Sequence, residues 1–75
     1  MDEQIAPGDS GPTVRRLQRA LNTLGYDVGQ PDGEYGAQTQ EAVTAFQEAE
    51  GLDADGVAGP QTLEAINQAL SERGR

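Results

Sequence analysis

Thirteen Asp and Glu residues, with no Cys and no His, set the chemistry open to this 75-residue chain. Without those two residue types there is no thiol nucleophile, no Ser–His pair and no usual zinc site, which carboxylates alone rarely make. Two carboxylates can in principle cleave a glycosidic bond. That needs a cleft deep enough to bury a sugar and raise one pKa, which a chain of this length can hardly build. The sequence therefore reads as non-enzymatic, with no cofactor. Asp53-Ala54-Asp55-Gly56 resembles the opening of a calcium loop, and Glu64 would then close it. The central glycine such a loop requires is Ala58 here, with Val57 before it, so no metal site is expected.

The formal charge is −8. It argues against wrapping nucleic acid, which takes many Lys or Arg contacts to phosphate, and against an anionic membrane surface. All five basic residues are Arg, and Arg15, Arg16 and Arg19 sit together. They fit either a GC-rich genome or one small basic face on an acidic body. No apolar run reaches the length of a membrane span.

One unit occurs twice. Asp32-Gly33-Glu34-Tyr35-Gly36-Ala37-Gln38-Thr39-Gln40-Glu41-Ala42-Val43 aligns with Asp55-Gly56-Val57-Ala58-Gly59-Pro60-Gln61-Thr62-Leu63-Glu64-Ala65-Ile66 at an offset of 23, with seven of twelve positions identical. Asp-Gly signals a turn, because Asp bonds nearby backbone and Gly takes positive φ. The second Gly sits at a helix entrance, where it caps or lets another backbone approach. Thr falls in the first turn, within reach of an orphan backbone group. Each position thus has a structural role. The functional alternative is that the two helix N-termini, each led by a Gly-rich loop, attract a carboxylate or an acyl carbonyl.

These turns must be held by helices. Val14, Leu17, Leu21 and Leu24 make one apolar stripe over 12–24. Asp9 and Ser10 are its expected caps, and Pro12 fits its first turn. Gly25-Tyr26 reads as a left-handed stop with an apolar residue folding back. A second helix is predicted over 37–50, with Thr39, Ala42, Val43 and Phe46 inward and Gly51-Leu52 as the same stop. A third is predicted over 60–72, with Leu63, Ile66 and Leu70 on its stripe. Residues 1–8 read as a flexible arm in which Ile5 could anchor, 9–72 as the folded domain and 73–75 as a tail. The fold class is all-α: a compact three-helix bundle with two similar loop-helix halves.

Gly8-Asp9-Ser10-Gly11-Pro12-Thr13-Val14-Arg15-Arg16-Leu17-Gln18-Arg19-Ala20-Leu21 resembles the opening helix of the three-helix peptidoglycan-binding domain family. Leu24-Gly25-Tyr26 looks like its helix end. Asp32-Gly33-Glu34-Tyr35-Gly36 with Thr39, Ala42, Val43, Phe46 and Gln47 is similar to its central motif, and Asp55-Gly56 with Gly59, Thr62 and Leu63 to its third. The resemblance covers about residues 8–70. It implies noncovalent binding of bacterial cell-wall peptidoglycan, glycan or stem peptide, in a groove near the loops, without catalysis. Carried over, the candidate contacts are Asp32, Tyr35, Gly36 and Thr39, with Asp55, Gly59 and Thr62 as counterparts. Tyr35 either offers a ring for stacking or covers the thin core. Tyr26 reads as helix-end packing. Gln18 and Gln47 match family positions but could be solvent-facing.

The implied partner is peptidoglycan, with a wall hydrolase or a virion protein as the associated molecule. The alternative function is an adaptor or decorating protein on a larger assembly, such as a phage particle. Met1-Asp2-Glu3-Gln4-Ile5 does not have the form of a secretory signal. The chain reads as a small gene product that works at the cell wall or on a virion, which meets the wall from outside.

Overall fold

The computed structural model describes residues 4–73. It contains three helices, α1 (Pro12–Thr23), α2 (Ala37–Ala49) and α3 (Pro60–Arg73). Their bounds fall within one residue of those the apolar spacing predicts. The described part of the expected tail, Arg73, belongs to α3; Gly74 and Arg75 lie outside the described residues.

Helices of this length are marginal alone and become stable by pooling their apolar stripes. α1 packs against both α2 and α3. The shared core is Val14, Leu17, Leu21, Val28, Val43, Phe46 and Ile66, with Leu21 and Val43 fully enclosed.

The first two helices end as their glycines predict. Gly25 has φ +95 and Gly51 φ +73. Tyr26 N–H donates to the Leu21 carbonyl at 2.8 Å, and Leu52 N–H donates to the Gln47 carbonyl at 2.8 Å. Each apolar residue is thereby folded back on its helix. The Tyr26 ring meets the Phe46 ring edge-on, 5.5 Å between centroids.

The N-terminal caps differ from expectation. Neither Asp9 nor Ser10 caps α1; Gly11 occupies that position, and no side chain bonds the helix start. Asp9 instead turns its carboxylate to the Ala6 amide, at 2.9 Å. Its backbone is needed elsewhere, since Asp9 carbonyl accepts from Tyr35 N–H at 3.0 Å.

The expected flexible arm is also corrected over residues 5–8; Met1–Glu3 lie outside the described residues. Ile5 is buried, and it exchanges both backbone bonds with Ala58, at 3.0 and 2.8 Å. Gly8 N–H then reaches the Tyr35 carbonyl and Gly11 N–H the Gly33 carbonyl. The segment from Ile5 to Gly11 is therefore laced across both turns. The physical reason is that each turn leaves backbone groups unpaired inside the fold, and such groups must find partners.

Candidate functional site

The two repeated turns are held by one device used twice. Gln18 comes from α1 and is 1% exposed. Its Nε2 donates to Asp32 Oδ1 at 3.1 Å, to the Glu34 carbonyl at 2.9 Å and to Thr39 Oγ1 at 3.0 Å. Its Oε1 accepts the Gly33 N–H at 2.8 Å. Gln47 comes from α2 and is equally buried. Its Nε2 donates to Asp55 Oδ1 at 3.0 Å, the Val57 carbonyl at 2.9 Å and Thr62 Oγ1 at 3.0 Å. Its Oε1 accepts the Gly56 N–H at 3.0 Å. An amide nitrogen has two hydrogens and meets three acceptors in each copy, so one hydrogen is shared. Every residue type in the network follows from this: an amide that donates and accepts, a carboxylate, a hydroxyl and a backbone without Cβ.

The seven sequence-predicted residues fall into three pairs and the single Tyr35 in this setting. Thr39 and Thr62 are buried acceptors of the glutamines rather than caps. Asp32 and Asp55 are exposed, but each carboxylate is engaged. Asp32 Oδ1 also accepts from Glu34 N–H, and Asp55 Oδ1 from Val57 N–H. These backbone bonds, then the glutamine bonds, hold both carboxyls below the usual Asp range. Gly36 and Gly59 stand at the starts of α2 and α3. A Cβ there would meet nothing within 4 Å, and neither has positive φ, so no close approach explains them. Gly56 is different: φ is +73 and a Cβ would come within 2.9 Å of Gln40.

Tyr35 offers no stacking face. It is 3% exposed, and its hydroxyl donates to the Gly56 carbonyl at 2.6 Å. Burial pushes its phenol up to about 12, with Asp55 and Asp9 adding to the shift. It therefore ties the first turn to the second. Gln18 and Gln47 are corrected the other way: they are hubs of the fold, not solvent-facing residues. The signal was in the sequence. Gln18 sits on the apolar stripe, four after Val14 and three before Leu21, and Gln47 lies four after Val43.

Three concavities flank this framework. The largest of them, about 410 Å³, runs between α1 and α3. Leu17 and Ile66 form its buried floor, Ile5, Ala20, Leu63 and Leu70 its aliphatic walls, and the exposed Thr13, Arg16 and Asn67 its rim. A cleft of about 310 Å³ lies by the start of α3, lined in part by Asp53, Asp55 and Gly59. One of about 270 Å³ lies where Asp32 and Glu34 meet the start of α1 and Arg15. Among the described residues, no three acidic side chains gather to hold a metal ion.

Comparison with known proteins agrees with this architecture. A family model for a peptidoglycan binding domain matches residues 10–66. The crystal structure of the SleB N-terminal domain superposes with a TM-score of 0.86 at 39% identity, over 89% of this chain and 92% of that one. An L,D-transpeptidase structure from Xylanimonas cellulosilytica gives 0.85 at 48% identity, over 89% of this chain and 33% of that one. The zinc D-Ala-D-Ala carboxypeptidase of Streptomyces albus G is 44% identical over 68 residues, 85% of this chain and 26% of the relative. The chain spans 14–26% of the length of the first curated relatives it matches.

Proposed function

Since the chain belongs to the peptidoglycan-binding domain family, we propose that it holds bacterial cell-wall peptidoglycan by noncovalent contacts, without catalysis, and so places an attached or associated protein at the wall. One observation carries this reading. The family match runs over residues 10–66, through α1, both turns, α2 and the first half of α3, and the likeness to the SleB N-terminal domain takes in 92% of that structure. The matched relatives include amidases and a carboxypeptidase of which this domain is a minor part. That supports a binding role beside catalytic machinery located elsewhere.

The contact surface proposed for this role excludes the buried members of the repeated motif. Tyr35, Thr39 and Thr62 set the geometry of the turns. Asp32, Gly36, Asp55 and Gly59 stay at or near the surface and are the loop-borne candidates for ligand contact. The groove between α1 and α3 is the other candidate, and its chemistry is the more suited to a ligand that carries both methyl groups and negative charge. The test is sedimentation with insoluble peptidoglycan. The protein should leave the supernatant with the wall and release no soluble sugar or peptide from it. Protein that stays in solution would refute the binding role, and released fragments would refute the absence of catalysis.

A further inference from the structure

Peptidoglycan offers two kinds of surface, sugar rings and peptides, and the aromatic residues separate them. Sugar rings are commonly gripped by flat aromatic faces, whose negative π-cloud meets ring C–H groups. The chain has three aromatic residues, two Tyr and one Phe. Phe46 and Tyr35 are buried. Tyr26 is set edge-on to Phe46 at the end of α1. None of the three lines the α1–α3 groove.

The groove has instead the features of a peptide site. Its volume, about 410 Å³, lies in the range of small-ligand pockets. Its floor and walls are aliphatic, and the small side chain of Ala20 leaves space where a larger one would fill it. Arg16 lies on the rim with Thr13 and Asn67. Among the described residues, no acidic side chain lines it. The two loop clefts differ from it, with Asp53 and Asp55 in one and Asp32 and Glu34 beside Arg15 in the other. A carboxylate is repelled from the first and meets mixed charge in the second, whereas at the groove it meets Arg16, with Arg19 one turn further along α1. A guanidinium also presents a planar fork that matches a carboxylate.

We infer that the α1–α3 groove is a subsite for the carboxylate-bearing end of a short peptide with methyl-sized side chains, the stem peptide of the wall rather than its glycan. Arg16 takes the carboxylate, Thr13 and Asn67 serve the peptide's backbone groups, and Leu63 and Leu70 receive its methyls. The inference rests on the peptidoglycan reading and assigns its ligand class.

The test uses the full chain labelled with ¹⁵N and two probes, acetyl-D-Ala-D-Ala and tetra-N-acetylchitotetraose. The dipeptide should shift amide resonances of residues 13–20 and 63–70, and the sugar should not. Arg16→Gln should weaken dipeptide binding about tenfold, the effect of one charge-assisted contact. Ala20→Leu, which fills the groove, should abolish it. Both substitutions replace residues at least partly exposed, so an unchanged amide spectrum elsewhere shows that the fold is kept. Sugar-induced shifts in the groove, dipeptide shifts confined to residues 32–36 and 55–59, or none with about 10 mM dipeptide would each overturn the inference. Sedimentation separates the two levels. Arg16→Gln that pellets as well as wild type defeats the groove assignment alone, whereas wild type that fails to pellet defeats the peptidoglycan reading itself.

Discussion

Replacing Gln47 by Leu tests the two-clamp account most sharply, because Leu is similar in size and keeps the helix. The change removes all four bonds of the amide. Asp55 is exposed and Val57 half-buried, so water can reach their acceptors. The Gly56 N–H and Thr62 Oγ1 are buried and lose their glutamine partner. Each buried polar group left unpaired costs about 1–3 kcal/mol, so two cost about 2–6. The apolar side chain returns about 1–2 kcal/mol through its own burial. The net loss is about 3 kcal/mol, a large share of the stability of a domain this small. At about 4–8 °C per kcal/mol, the melting temperature should fall by about 12–24 °C. Circular dichroism at 222 nm during heating and urea titration reads both quantities. Gln38→Leu and Gln61→Leu, on exposed helical positions, are the controls and should stay within about 0.5 kcal/mol of wild type. The reasoning fails if Gln47→Leu behaves like these controls. Gln18→Leu should match Gln47→Leu, since the two networks are alike bond for bond.

Further outcomes follow from the same geometry. Tyr35→Phe leaves the buried Gly56 carbonyl without its 2.6 Å donor and should cost about 1–2 kcal/mol in urea denaturation; a neutral change would show that the tie is idle. The Tyr35 phenol is raised from 10.0 to about 12, so the folded state holds that proton more tightly, and stability should be full below pH 10 and fall between 10 and about 12. Tyr35→Phe should remove that part of the alkaline loss. Asp32 and Asp55 are lowered from 3.8, so they stabilise the fold above that value and the benefit is lost as pH falls through their lower folded values. Urea midpoints taken from pH 6 to 2 should drop in that acid window, and a drop starting well above it would contradict the assignment. Gly56→Ala meets both positive φ and a Cβ contact of 2.9 Å and should cost about 1–3 kcal/mol. Gly36→Ser, with open space and an extended backbone at the start of α2, should gain a few tenths of a kcal/mol by capping.

The helices and their stops were legible because they rest on local rules. Stripe spacing set the bounds of all three, and Gly25-Tyr26 and Gly51-Leu52 named two of the ends. The repeat also showed that the two turns are alike. What closes those turns was harder to see, because the partners lie far away in sequence. Gln18 precedes Asp32 by 14 residues, while Gln47 precedes Asp55 by only 8. The clamps therefore fall out of the register of the 23-residue repeat. Tyr35 misled for a similar reason. An aromatic in a Gly-rich turn invites a surface role, and only the segment from Ile5 to Gly11, laced over both turns, explains its burial. Asp9 and Ser10 fit the composition of a cap, but their backbone was committed to that same lacing. The candidate site was the least legible part. The motif is so fully occupied in shaping the turns that it says little about contact, and the α1–α3 groove exists only once two helices distant in sequence meet.

The central claim is that this fold binds the wall. Purified protein should be incubated with washed, insoluble peptidoglycan at about 50 μM, a concentration at which micromolar affinity is nearly saturating, and then spun down. The account predicts that protein moves to the pellet, that the amount bound reaches a plateau as protein is raised, and that the supernatant gains no wall fragments. Protein left in the supernatant at every ratio of wall to protein, while its melting curve shows it folded, would contradict the claim and favour an interaction module that reuses the fold on a larger assembly.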